Sequence, residues 1–166
     1  MKLTPHAPSL RKLYTLGAVT CLGLLAFGIY LQSIGGLEPC PLCVIQRFFI
    51  FVLGILFMIG ALHLPDRPWY TLYNIAILLC TTLGGFAAWR QIALERLPPD
   101  QVPPCGPTLD VMIQQLPFRD VITQVMAGTP ECSKVLWRFM GLSIPSWTLL
   151  FFICFAAIGL SSLMRK

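Results

Sequence analysis

Cys40-Pro41-Leu42-Cys43-Val44-Ile45-Gln46-Arg47 runs directly into the uninterrupted apolar stretch 48–62. At the helical rise that stretch covers about 22 Å, less than the roughly 30 Å of a bilayer's hydrocarbon core. A helix that crosses a membrane here must start earlier in the chain. It therefore carries Arg47 and Cys43 to the membrane boundary, with a Cys-x-x-Cys pair at its first turn.

Working outward, three more segments are long and apolar enough to cross, and the expected spans are about 13–34, 44–64, 69–89 and 144–163. Of the 166 residues, 56% are hydrophobic and 11% charged, where a soluble domain carries about a quarter charged residues. Lys2, Arg11 and Lys12 precede the first span, yet its apolar run is too long for a signal peptide and no small-residue cleavage site follows. The expected fold is an all-α integral membrane protein, a single domain over 1–166. It forms an antiparallel four-helix transmembrane bundle with a long extracytoplasmic loop carrying short helices.

Short connections and prolines, Leu64-Pro65-Asp66-Arg67-Pro68 among them, make consecutive helices antiparallel. Even parity then puts the loops at about 35–43 and 90–143 on one face. Basic residues are dense in the two tails and the short turn (Lys2, Arg11, Lys12, Arg67, Arg165, Lys166) and sparse in the long loop, so the positive-inside rule puts both termini in the cytoplasm. The four tryptophans, Trp69, Trp89, Trp137 and Trp147, fall at span ends or in the long loop, as an interfacial belt requires. The net charge of +5 comes from scattered residues beside apolar runs, which points to a lipid bilayer as partner and away from nucleic acid.

Of seven cysteines, Cys21, Cys80 and Cys154 lie inside spans and read as small hydrophobes. Cys40, Cys43, Cys105 and Cys132 all map to the extracytoplasmic face, where disulfides persist. A helix N-terminus stabilises a thiolate and activates sulfur for exchange. The loop closed by Cys40 and Cys43 is so short that its chain-entropy gain is only about 2 kcal/mol, against about 3.5 kcal/mol for a bridge between Cys105 and Cys132. The first pair reads as a redox centre better than as a staple. Val44 excludes haem attachment, which needs histidine after the second cysteine. Zinc needs four converging ligands, whereas Cys105 and Cys132 stand alone and His6 and His63 map to the opposite face; no metal is expected. Three pairings of the four cysteines stay open on these grounds.

Arg47 follows Cys43 by one helical turn on the same face. Snorkelling towards headgroups is its bland role. The functional one is to stabilise a thiolate and the charge developing on a lipid-soluble electron acceptor, such as a quinone head group. The proline-rich strip 97–107 presents Cys105 on an extended backbone suited to another protein's peptide groove. Beyond it, 110–115 and 119–127 suit short helices. Val135, Leu136, Phe139 and Met140, opposed by Lys134 and Arg138, suit a short helix lying on the membrane surface and holding Cys132 near Cys40.

These residues together resemble the DsbB family of bacterial inner-membrane disulfide-generating proteins. The resemblance is carried by Cys40-Pro41-Leu42-Cys43 with Arg47, Pro104-Cys105-Gly106-Pro107, Glu131-Cys132 and Gly141-Leu142-Ser143-Ile144-Pro145-Ser146-Trp147, and it covers essentially the whole chain. It implies a protein disulfide oxidoreductase that reoxidises a soluble periplasmic DsbA-like thiol oxidase and passes electrons to ubiquinone or another membrane quinone. By the same resemblance Cys105 forms the transient mixed disulfide with the partner and Cys132 exchanges with Cys40. Cys43 then hands electrons to the quinone beside Arg47. The rivals are a structural four-helix membrane protein with a disulfide-stapled loop and a vitamin-K-epoxide-reductase-like enzyme, in which the loop cysteines would precede the Cys-x-x-Cys pair.

Overall fold

The computed structural model describes residues 7–36, 39–63, 67–102, 109–135 and 137–164. Four helices in it are long and apolar enough to cross a membrane: α1 (Ala7–Ser33), α2 (Pro41–His63), α3 (Arg67–Glu95) and, last in the chain, α7 (Ile144–Met164). Pro41 opens α2 at the position where a missing N–H costs nothing. Between α3 and α7 lie a 3₁₀ turn (Pro99–Gln101), the short helices α4 (Leu109–Gln115), α5 (Phe118–Ala127) and α6 (Pro130–Ser133), and a hairpin of β1 (Arg138–Phe139) and β2 (Leu142–Ser143). The turn 64–66 and the segment 103–108 with Cys105 lie outside the described residues.

The helices pack in the order α1, α2, α3, α7, and the ring closes poorly, because α1 and α7 barely touch. Small residues set the close approaches, as they do where lipid supplies no hydrophobic drive between helices. A Cβ on Gly17 would sit 2.9 Å from the ring of Phe57, and one on Gly84 would collide with the ring of Phe152. Around these contacts Cys21, Leu53, Phe57, Ile77, Phe152 and Phe155 form the buried core. Tyr14, also buried, donates its hydroxyl proton to Asn74 Oδ1 at 3.1 Å, which pairs these two polar side chains inside the bundle. Outward faces carry exposed Leu16, Leu22, Phe48, Phe51, Leu79 and Ile153. An apolar belt of this kind is stable only against hydrocarbon.

A second core caps one end of the bundle, where Cys40, Leu42, Ala87, Leu94, Met112, Val125 and Cys132 bury one another. Two features of this cap depart from the sequence reading. The third helix does not end with its membrane span near Trp89 but continues to Glu95. Arg90-Gln91-Ile92-Ala93-Leu94-Glu95 is too polar for lipid, yet its residues favour helix, and α5 and α6 give it something to pack on. The surface helix expected from Val135, Leu136, Phe139 and Met140 is replaced over 138–143 by a hairpin; Leu136 itself lies outside the described residues. Its turn residues Met140 and Gly141 have φ of 50° and 81°, the positive values a tight hairpin turn demands. Trp137 and Phe139, two residues apart on an extended chain, share one face and stack at an interplanar angle of 4°.

Candidate active site

Three sulfurs meet where α2 begins. Cys40 precedes the helix and Cys43 sits in its first turn, so one turn of backbone brings their sulfurs to 3.0 Å, the Cys40 thiol donating. Cys132 arrives from the long loop, and the loop is held in place by specific bonds. Arg90 donates through Nε to the Met126 carbonyl at 2.9 Å, occupying the last acceptors of α5 with a cation suited to that helix end. Gly128, at φ 94°, then turns the chain; a side chain there would strike Leu94. Thr129 follows, its carbonyl accepting the Cys132 N–H at 2.9 Å and its hydroxyl pointing at the Cys132 sulfur from 3.6 Å.

Protons are shared unequally among the sulfurs. Cys132 is pulled down to about 6, first because Cys40 donates to it and then because the backbone N–H groups of Leu42 and Thr129 do so, together outweighing burial. Cys40 moves the opposite way, far up, because its proton is held by Cys132 and Cys43 and because it is buried. Cys40 is thus the proton holder, and Cys132 is a thiolate at neutral pH.

Cys43 faces two unlike cavities. On one side a cavity of about 510 Å³ opens between α1, α2 and α7, where α1 and α7 barely touch; its wall is almost wholly apolar, from Leu24, Phe27, Ile50, Trp147 and Phe151. Cys43 and Arg47 line it as well. Arg47 donates to Gln32 Oε1 at 2.7 Å and to the Gly28 carbonyl at 3.0 Å, both neutral acceptors on α1. Its charge is therefore fixed beside the cavity and not cancelled by those partners. Gly28 permits this, since a Cβ there would lie 3.2 Å from Arg47 Nε. On the other side a cleft of about 30 Å³ is lined by Cys40, Cys43, Gln91, Glu95, Glu131 and Lys134.

Of the residues singled out in the sequence, Cys40, Cys43, Cys132 and Arg47 are brought to one end of the bundle, and Cys105 lies outside the described residues. Sequence reasoning missed Gln91, which touches Cys43, and the aromatic wall of Phe27, Trp137, Phe139 and Trp147. It also missed Glu95, whose carboxylate accepts from the Ser143 hydroxyl at 2.7 Å and ties the hairpin to α3. The legible signal for Gln91 was a polar side chain on the apolar register of Ala87, Ala88 and Leu94, which needs a partner when buried.

Comparison with known proteins agrees with this arrangement. The family model described as "Disulfide bond formation protein DsbB" matches residues 10–161. The chain is 45% identical over 157 residues, 94% of each chain, to "Disulfide bond formation protein B" of Hahella chejuensis. It is 40% identical over 156 residues to the protein of that name in Marinobacter nauticus, covering 94% of this chain and 93% of the relative. Against "Disulfide bond formation protein B 1" of Pseudomonas aeruginosa it is 38% identical over 156 residues, covering 94% of this chain and 96% of the relative. A match running from the first membrane helix to the last, at this identity, leaves one conclusion: the chain belongs to the DsbB family of membrane-embedded disulfide bond formation proteins, which are disulfide oxidoreductases.

Proposed function

We propose that this chain reoxidises a soluble DsbA-like dithiol oxidase in the bacterial periplasm and relays the electrons through two cysteine pairs to a membrane quinone. The observation that carries the reading is the position of Cys43, whose sulfur touches Cys40 on one side and which lines an apolar cavity between membrane-length helices on the other. Electrons that reach the Cys40–Cys43 pair from water thus have a route into lipid.

The relay starts at Cys105. The partner's thiolate attacks Cys105 in a Cys105–Cys132 disulfide, forming a mixed disulfide and releasing Cys132 as thiolate. The Cys132 thiolate attacks Cys40 of the Cys40–Cys43 disulfide, and the electron pair of that bond leaves on Cys43. The partner's second thiol then resolves the mixed disulfide, so the partner leaves oxidised. Cys105 then attacks Cys132 of the Cys132–Cys40 disulfide, re-forming the Cys105–Cys132 bond and freeing Cys40, so the partner's two electrons and two protons come to rest on Cys40 and Cys43. The backbone N–H groups of Leu42 and Thr129, which donate to the Cys132 sulfur whatever the state of Cys40, suit it to act as both leaving group and nucleophile in this sequence.

The large cavity fits a quinone: it has the size of a small-molecule site, apolar walls and one fixed cation from Arg47. Arg47 would hold the head-group oxygens, with Trp147 and Phe151 against the ring. A bound quinone supplies a sink for two electrons and two protons. Such a sink is what a partner as oxidising as about −120 mV requires of the system that reoxidises it. The reading places the chain in the inner membrane with both termini in the cytoplasm and the cysteine-bearing end in the periplasm, in keeping with the charge distribution.

The test uses the reduced chain in detergent with added ubiquinone or menaquinone. The expected result is loss of two thiols per quinone reduced, from Cys40 and Cys43 on peptide mapping. No thiol loss with either quinone overturns the proposal.

A further inference from the structure

Gln46 on α2 and Gln91 on α3 are 3% and 4% exposed, and the exchange chemistry outlined above does not use them. Burying two amides at the end of an apolar bundle is unfavourable unless their polar groups are paired. Gln46 Nε2 donates to Gln91 Oε1 at 2.7 Å. That bond fixes the rotation of the Gln91 amide and turns its Nε2–H to the Cys43 sulfur at 3.2 Å, the amide oxygen standing further off at 3.5 Å. Arg47, the nearest cation on α2, spends its hydrogen bonds on Gln32 and Gly28 instead.

We propose that Gln91 stabilises the Cys43 thiolate as it leaves during attack of Cys132 on Cys40, and that Gln46 is the positioning residue that keeps the Gln91 N–H pointed at that sulfur. This rests on the relay proposed above. The step is balanced within the chain. The Cys132 thiolate forms a bond to Cys40, the Cys40–Cys43 bond breaks with its electron pair going to Cys43, and no proton is consumed. Negative charge therefore moves from Cys132, where Leu42 and Thr129 donors hold it, to Cys43, where something must receive it. A fixed N–H in a buried site is worth more to a developing anion than the same group in water, because it needs no reorientation. Leaving thiols depart faster, and the exchange lies further forward, when their thiolates are stabilised.

Two substitutions reach this bond by different routes. Gln91→Leu removes the donor at nearly constant volume. Gln46→Met leaves Gln91 in place but removes the donor that orients its amide, so the Gln91 N–H is no longer held towards Cys43.

The assay needs no quinone. A full-length Cys105→Ser chain in detergent, carrying one disulfide among Cys40, Cys43 and Cys132, is acid-quenched and its free thiol mapped to Cys43 or Cys132. Both substitutions should move the ratio about tenfold or more towards free Cys132, as loss of a hydrogen bond to a charged acceptor implies. In the fully reduced chain, the iodoacetamide rate at Cys43 should fall about tenfold near neutral pH and converge with the parent's in strong alkali, where every chain is thiolate. An unchanged ratio together with an unchanged rate overturns the assignment. So does a rate deficit that persists at all pH values, which marks lost access or packing. If the parent's free thiol never moves to Cys43, the relay fails, and the alkylation profile alone decides the role of Gln91.

Discussion

The unequal sharing of protons makes a prediction at Cys132. Its thiol titrates near 6 chiefly because Cys40 donates to it, so Cys40→Ala removes the largest cause and leaves burial opposed only by Leu42 and Thr129. The midpoint should rise from about 6 towards the unperturbed 9.0, since burial is then the largest remaining influence. At pH 7 the thiolate fraction then falls from about nine-tenths to a minor fraction. The sign follows from thiol chemistry: reactivity at Cys132 is present above the midpoint and lost as pH falls through it. The assay is iodoacetamide alkylation of the reduced chain from pH 5 to 9, with Cys132 followed by peptide mass. Cys43→Ala is the control, because Cys43 is not among the groups that hold Cys132 down; its midpoint should stay near 6. A Cys40→Ala profile that superimposes on the parent's would refute the reasoning, and so would an equal shift in both variants.

Arg47→Ala should raise the quinone concentration needed for half-maximal turnover by about tenfold or more, the loss expected for a charged hydrogen-bond donor; unchanged quinone dependence removes Arg47 from the acceptor site. Gly28→Val tests the same site indirectly, since its Cβ would press on Arg47 Nε from 3.2 Å; quinone dependence should weaken while Cys132 alkylation stays as in the parent. Arg90→Ala should free the Met126 and Ala127 carbonyls at the end of α5 and loosen the cap by about 1–2 kcal/mol, seen as faster proteolysis of the long loop. Gly84→Ala forces a Cβ into the ring of Phe152 and should destabilise the α3–α7 contact by about 1–3 kcal/mol, read as a lower melting temperature in detergent.

The four crossings were legible because composition and length decide them, and the short helices over 109–115 and 118–127 because Pro117 and Gly128 punctuate the loop. The reach of α3 was not legible, since hydropathy reports where lipid ends and not where helix ends. Arg90, Gln91 and Glu95 stop an apolar run without stopping a helix, and their partners are a carbonyl, a thiol and a hydroxyl from distant segments. The hairpin was misread for a different reason. Val135, Phe139 and Met140 fit a helical face, and so outweighed the period-two pair Trp137 and Phe139 and the Gly141 that fixes the turn. The cysteine cluster itself followed from parity, but which sulfur holds the proton depended on Leu42 and Thr129 backbone groups that no side-chain pattern reveals.

Burial explains why a relay among these sulfurs needs a fourth cysteine. Cys40 is 5% exposed and Cys132 0% exposed, and Cys43 opens on an apolar cavity. A thiolate on a folded, water-soluble protein cannot approach any of them without dismantling the second core. In the relay proposed above, exchange with a large partner therefore begins at a cysteine other than these three. Cys105, within five prolines over 97–107, has the sequence for it. If Cys105→Ser left reoxidation of a DsbA-like partner at the parent rate, entry would have to occur directly at a buried sulfur, and the division between a docking cysteine and a sealed relay would fall.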